Sequence, residues 1–260
     1  MRKKAILVIS FGTSYEETRK KTIGKIEEKI KQKFTDYHVV RAFTSKMIIN
    51  KLKKRDGLSI DNPREALNKL LEQGYEEIII QPTHIINGLE FESLFMDALY
   101  FKNKFKSLKL GRPLLNIYDD YLKVVRSMVH VFPKDIDERI IILMGHGTEH
   151  SANAAYPCLD YVFKNEGYEN VHIATVEGFP SLETVLTKIN KIQIKNVTLI
   201  PLMIVAGDHV QEDMVGDDED SWKNILIEKG YNVDSILIGM GEIQGIQKVF
   251  IEHLEKATKI

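Results

Sequence analysis

Two stretches far apart in this chain resemble one another, and their likeness limits the fold more than any other feature. Ala5-Ile6-Leu7-Val8-Ile9-Ser10-Phe11-Gly12-Thr13 parallels Ile140-Ile141-Ile142-Leu143-Met144-Gly145-His146-Gly147-Thr148. Each is an apolar, mostly branched run, the pattern of a strand buried on both faces, and each is followed by a glycine loop, Ser10-Phe11-Gly12 in one and Gly145-His146-Gly147 in the other. A second pair follows the same logic. Pro82-Thr83-His84-Ile85-Ile86-Asn87-Gly88-Leu89-Glu90 parallels Pro201-Leu202-Met203-Ile204-Val205-Ala206-Gly207-Asp208-His209.

The segments between these landmarks repeat as well. Strand signals fall at residues 4–9, 37–43, 77–81 and 113–117, then again at 139–144, 170–176, 197–201 and 233–238. Helical patterns separate them. Thr13-Ser14 with Glu16-Glu17 predicts a capped helix whose inner face is Ile23, Ile26, Ile30 and Phe34. Asp61-Asn62-Pro63 opens a helix carrying Leu67, Leu70 and Leu71, with proline in the first turn. Further helices are expected over 90–105, from Asp119-Asp120 to about residue 131, around Ala154, Cys158 and Val162, after Pro180-Ser181, over 213–228, and at Ile246, Val249, Phe250 and Leu254. Strands alternating with helices of this length imply βαβ units and parallel sheets. The expected fold class is α/β, with two similar Rossmann-like domains, each a parallel four-stranded sheet flanked by helices. They would face each other across a cleft as domains 1–133 and 134–260, with the boundary near Phe132-Pro133-Lys134-Asp135.

Composition narrows the function classes. Lys+Arg 36 against Asp+Glu 37 gives net charge -1, so no global basic field favours nucleic acid or an anionic membrane. The single cysteine, Cys158, excludes an internal disulfide and a cysteine-cluster metal site. Its apolar neighbours predict a buried helix-face thiol, in keeping with a reducing compartment. The apolar run after Met1-Arg2-Lys3-Lys4 is too short for a signal peptide, and no run approaches the roughly 20 apolar residues of a membrane span. A cytoplasmic protein is expected.

In open α/β sheets ligands bind at the carboxyl ends of the strands. The second half places a coordinating side chain after each of its first three strands: His146, Glu177 and His209. Adjacent strands lie about 4.8 Å apart, so three such loops can converge on one point. Singly, each has an ordinary reading: a loop histidine, a surface carboxylate, a helix-capping residue. Together, two imidazoles and a carboxylate with open positions suit a divalent first-row metal such as Co²⁺, Fe²⁺, Ni²⁺ or Zn²⁺. Glu90 holds in the first half the place of His209 in the second. It reads equally as a helix-start carboxylate favoured by the macrodipole or as an acidic group facing His209, handling protons or an incoming cation.

Competing chemistries are not encoded. The chain lacks a Gly-x-x-x-x-Gly-Lys-Ser/Thr phosphate loop, a His-Glu-x-x-His motif and a Gly-x-Ser-x-Gly elbow, and Gly239-Met240-Gly241 lacks the third glycine of a dinucleotide fingerprint. The acidic run Glu212-Asp213 to Asp217-Asp218-Glu219-Asp220 reads as a solvated loop before a helix, with attraction of cations as its alternative.

Several segments together resemble the anaerobic sirohydrochlorin cobaltochelatases, the CbiK family. They are Ile9-Ser10-Phe11-Gly12-Thr13-Ser14-Tyr15, Arg41-Ala42-Phe43-Thr44-Ser45, His84-Ile85-Ile86-Asn87-Gly88, Met144-Gly145-His146-Gly147, the stretch from Pro201 to His209, and Asp217-Asp218-Glu219-Asp220-Ser221-Trp222-Lys223. The resemblance implies a class II chelatase fold and a lyase-class enzyme that inserts Co²⁺ into sirohydrochlorin on the oxygen-independent route to cobalamin. It implies His146, Glu177 and His209 as metal ligands and Glu90 as the cleft glutamate. No cofactor is required beyond the substrate metal, and no nucleic-acid or membrane partner is expected; a homo-oligomer is left open. Iron or nickel insertion, or a non-catalytic tetrapyrrole or metal carrier, are the alternatives. His146 and His209 double as candidate acceptors of the pyrrole protons. Thr13, Ser14, Arg41, Thr44 and Ser45 are candidates to meet the tetrapyrrole carboxylates, with ordinary loop capping as the competing role for each.

Overall fold

The computed structural model describes residues 2–260, and the chain divides into two units. The first begins with β1 (Lys4–Ser10), α1 (Glu16–Lys21), α2 (Ile23–Lys33), β2 (His38–Phe43), α3 (Lys46–Asp56), α4 (Pro63–Glu72), β3 (Glu77–Pro82), α5 (Leu89–Phe101) and β4 (Ser107–Leu110). The second holds α6 (Tyr118–Met128), β5 (Arg139–Gly145), α7 (Ala155–Asn165), β6 (Val171–Thr175), α8 (Leu182–Ile189), β7 (Asn196–Pro201), α9 (Trp222–Glu228) and β8 (Asn232–Ser235). The chain then ends with α10 (Gln244–Glu255) and β9 (Thr258–Lys259).

The sheets follow one plan. Strand order is β2-β1-β3-β4-β9 in the first unit and β6-β5-β7-β8 in the second. All neighbouring pairs are parallel except β4 with β9. In the first unit Ala5, Leu7 and Ile9 share a core with Leu67 and Leu70 of α4 and Leu94, Ala98 and Phe101 of α5. In the second, Ile140, Ile142 and Met144 pack with Val185 and Ile189 of α8 and Trp222 and Leu226 of α9.

The repeat read from sequence is also a repeat of hydrogen bonds. Thr44 N donates to Ser10 O (2.9 Å) as Val176 N does to Gly145 O (3.1 Å), and Ser45 N to Phe11 O (3.2 Å) as Glu177 N to His146 O (2.8 Å). Thr83 N donates to Ile9 O (2.8 Å) as Leu202 N does to Met144 O (2.8 Å). Phe11 is therefore the counterpart of His146, and Ser45 that of Glu177.

The structure departs from the sequence expectations in particular places. The fourth strand lies at β4 and not at 113–117. Leu108 and Leu110 point inward on either side of exposed Lys109, whereas Pro113 has no N–H to give a ladder, and Leu114 and Leu115 are buried as a loop. The domain boundary moves too: the first unit is 1–116 with 244–260, the second 117–243. The chain end returns to the first sheet, where β9 adds a fifth, antiparallel strand. Thr22 interrupts the first predicted helix, splitting it into α1 and α2, and α3 was not anticipated. The helix expected over 213–228 is only α9, preceded by a π turn at Val210–Met214 and the acidic loop. Cys158 is exposed, because α7 turns Tyr156, Leu159, Val162 and Phe163 inward instead. Among the described residues, no helix is long and apolar enough to cross a membrane.

Candidate metal centre

His146, Glu177 and His209 each offer one ligating atom, and these atoms all lie within 4.8 Å of one another. The topology explains the convergence. β5 is central, with β6 on one side and β7 on the other, so the chain order reverses around it and opens a crevice at the carboxyl ends. His146 follows β5, Glu177 follows β6 and His209 follows β7.

Local sequence sets the His146 loop. Gly147 has φ +80, the left-handed region that disfavours a side chain, and an added Cβ would lie 2.7 Å from Gly178 N and 2.7 Å from Thr175 Cβ. Gly145 leaves room for the Tyr156 ring, which a Cβ would meet at 2.5 Å. Burial, the larger influence, pushes the Tyr156 hydroxyl up to about 12, while a hydrogen bond with the Gly147 backbone opposes the shift. Asn153 ties the loops together: its Oδ1 accepts from Thr148 N (3.1 Å) and its Nδ2 donates to Phe179 O (2.5 Å). Neither Asn153 nor Tyr156 carries a sequence signal that marks it for this task.

The imidazoles stand edge to face, with ring centroids 4.7 Å apart and planes at 89°. His146 Nδ1 donates to Gly147 O at 2.9 Å, since a carbonyl can only accept, and lies 3.7 Å from Glu177 Oε2. His209 Nδ1 donates to Asp213 Oδ2 at 2.6 Å. In the neutral form of each ring this hydrogen bond leaves the lone pair on Nε2. Side chains of His146, Glu177 and His209 remain 42%, 59% and 39% exposed, so an incoming molecule can reach them. Tetrahedral ligands at about 2.0–2.1 Å from a metal stand about 3.4 Å apart. The widest pair must therefore close by no more than about 1.4 Å, the difference from 4.8 Å.

The first-unit candidates fare differently. Arg41 Nε and Nη2 grip Glu27 at 2.7 and 2.6 Å, so its guanidinium is committed to a mostly buried carboxylate. Ser45 caps α3 by accepting from Ile48 N (3.3 Å), and Thr13 Oγ1 accepts from Tyr15 N (3.2 Å). Ser14 Oγ and Thr44 Oγ1 are buried without a hydrogen-bond partner. Glu90 is exposed in the first turn of α5, in the first unit, whereas the three convergent ligands belong to the second.

The family model of the cobalt chelatase CbiK matches residues 4–259. The chain belongs to the CbiK family. This CbiK-family chain is 40% identical over 258 residues to a sirohydrochlorin cobaltochelatase of Salmonella typhimurium, covering 99% of this chain and 97% of that one. It is 31% identical to the sirohydrochlorin cobaltochelatase CbiKC of Nitratidesulfovibrio vulgaris, covering 99% of this chain and 92% of the relative. Among solved structures, SirB from Bacillus subtilis with Fe³⁺ aligns at TM-score 0.64 and 12% identity, covering 98% of this chain and 95% of that one. CbiX, described as the terminal enzyme for biosynthesis of siroheme in denitrifying bacteria, aligns at TM-score 0.57 and 12% identity, covering 98% and 100%. These two show the fold alone: parallel sheets flanked by helices.

Proposed function

We propose that this chain inserts Co²⁺ into sirohydrochlorin, the reaction named for the relatives it matches along nearly its whole length. The observation that carries the site assignment is the convergence of His146, Glu177 and His209. In the reaction two pyrrole N–H protons leave the macrocycle as Co²⁺ enters, so the inner charge balances. His146, Glu177 and His209 hold the ion through two nitrogens and a carboxylate oxygen, leaving positions for pyrrole nitrogens. With Nδ1 of each ring engaged as a donor, a neutral imidazole that has released cobalt has Nε2 as the acceptor site for a pyrrole proton. Glu90, exposed in the first turn of α5, is the acidic group we assign to handling protons or the incoming cation.

The product is cobalt-sirohydrochlorin for cobalamin synthesis. The imidazole–carboxylate set itself does not select cobalt over neighbouring divalent ions, so Fe²⁺ and Ni²⁺ are tested beside it at controlled free-ion levels. In anaerobic assays followed by the macrocycle's absorbance, His146→Ala together with His209→Ala should fold normally and abolish insertion. Normal turnover by that double variant refutes the site. Stoichiometric capture of sirohydrochlorin without turnover by the wild type would instead identify a carrier.

A further inference from the structure

A third side chain on the π turn completes the second imidazole. His209 immediately precedes the turn Val210–Met214, and Asp213 on that turn places Oδ2 2.6 Å from His209 Nδ1. A π turn inside a helical segment is uncommon and often marks a functional position. Here it is held from both ends. Val210 and Met214 are fully buried in the second unit's core. Gly216 N donates to Glu212 O at 3.1 Å, and a Cβ on Gly216 would lie 2.3 Å from that same oxygen, so the turn closes only over glycine. Leu89–Phe101, the corresponding helix of the first unit, carries no such turn.

We propose that Asp213 is a positioning residue for cobalt insertion: by accepting the Nδ1 hydrogen bond it fixes the orientation of the His209 ring and, in the neutral ring, the tautomer that presents the Nε2 lone pair to the metal. The proposal rests on His209 being a ligand. A bare surface ion pair four residues apart on a helix would also bring His209 and Asp213 together, and contributes little. The two readings differ in what they do to the ring. Free imidazole side chains in water favour the proton on Nε2, whereas the carboxylate holds it on Nδ1. Partners that orient a metal-binding histidine typically contribute about 10- to 100-fold in metal affinity or activity.

The test compares the full-length wild type with Asp213→Ala, Asp213→Asn and His209→Ala. Long-range ¹⁵N–¹H correlation spectra of the apo proteins at pH 8 should show His209 protonated on Nδ1 in the wild type and shifted toward Nε2–H in Asp213→Ala. The KM for Co²⁺ should rise about 10- to 100-fold in Asp213→Ala, with kcat changing less. Asp213→Asn, which retains an acceptor oxygen, should recover part of both. An unchanged tautomer and a cobalt KM within two-fold of wild type in Asp213→Ala overturn the proposal. Normal insertion by His209→Ala would instead overturn the underlying ligand assignment.

Discussion

Substituting Gly147 by alanine isolates the backbone that aims His146. At φ +80 an alanine carries about 1–2 kcal/mol of left-handed strain. Its Cβ would also press within 2.7 Å of both Gly178 N and Thr175 Cβ, and crowding of that kind in a packed region costs about 1–3 kcal/mol more. The total is about 2–5 kcal/mol. Gly167 is the natural control. It has φ +91 with nothing within 4 Å of an added Cβ, so Gly167→Ala carries the strain alone, about 1–2 kcal/mol. Both lie in the second unit, which also holds the chain's single tryptophan, Trp222, buried at 6% exposure. Urea unfolding followed by its fluorescence therefore reads both variants with one probe. Gly147→Ala should be the less stable by about 1–3 kcal/mol, and should lose cobalt insertion while Gly167→Ala retains it. Equal stabilities, or normal insertion by Gly147→Ala, would refute the argument that this glycine sets the site.

Two further outcomes follow from buried charges. His172 on β6 has both ring nitrogens buried without a partner, and burial, reinforced by the Lys164 charge, lowers its pKa to about 4. The unfolded chain takes up that proton near pH 6.5, so stability present above 6.5 is lost as pH falls toward 4, by about 3 kcal/mol in all. Trp222 fluorescence titrations should show this slope flattened in His172→Leu; an unchanged slope contradicts the assignment. Arg41→Met should lower the thermal midpoint through the unpaired Glu27 carboxylate, a loss of about 2 kcal/mol once the 28% exposure of Arg41 is discounted, with the KM for sirohydrochlorin within two-fold of wild type. A raised KM at unchanged stability would return Arg41 to the substrate.

Much of this was legible in the residues because the signals were strong and local. The five consecutive apolar residues Ile140 to Met144 can hardly be placed except in a buried strand, and their echo at Ala5 to Ile9 exposed the repeat. The repeat in turn put Glu177 and His209 at sheet edges beside His146. What escaped was weak or long-range. α3 buries only Ile48 and Leu52 among lysines, and β4 is four residues long. The return of α10 and β9 to the first unit depends on pairing between residues more than half the chain apart. Asn153 and Tyr156 brace the site through contacts that no spacing announces. Asp213 was visible as part of an acidic run, but its role depends on the turn that brings it back to His209.

The central claim is that one ion is held by three side chains from three adjacent strand ends. A crystal of the protein soaked anaerobically with Co²⁺, with data collected across the cobalt absorption edge, tests it directly. The account predicts a single strong anomalous peak with an imidazole nitrogen of His146, Nε2 of His209 and a carboxylate oxygen of Glu177 at about 2.0–2.2 Å. A cobalt ion seated away from these three, or held by only one of them, would contradict it.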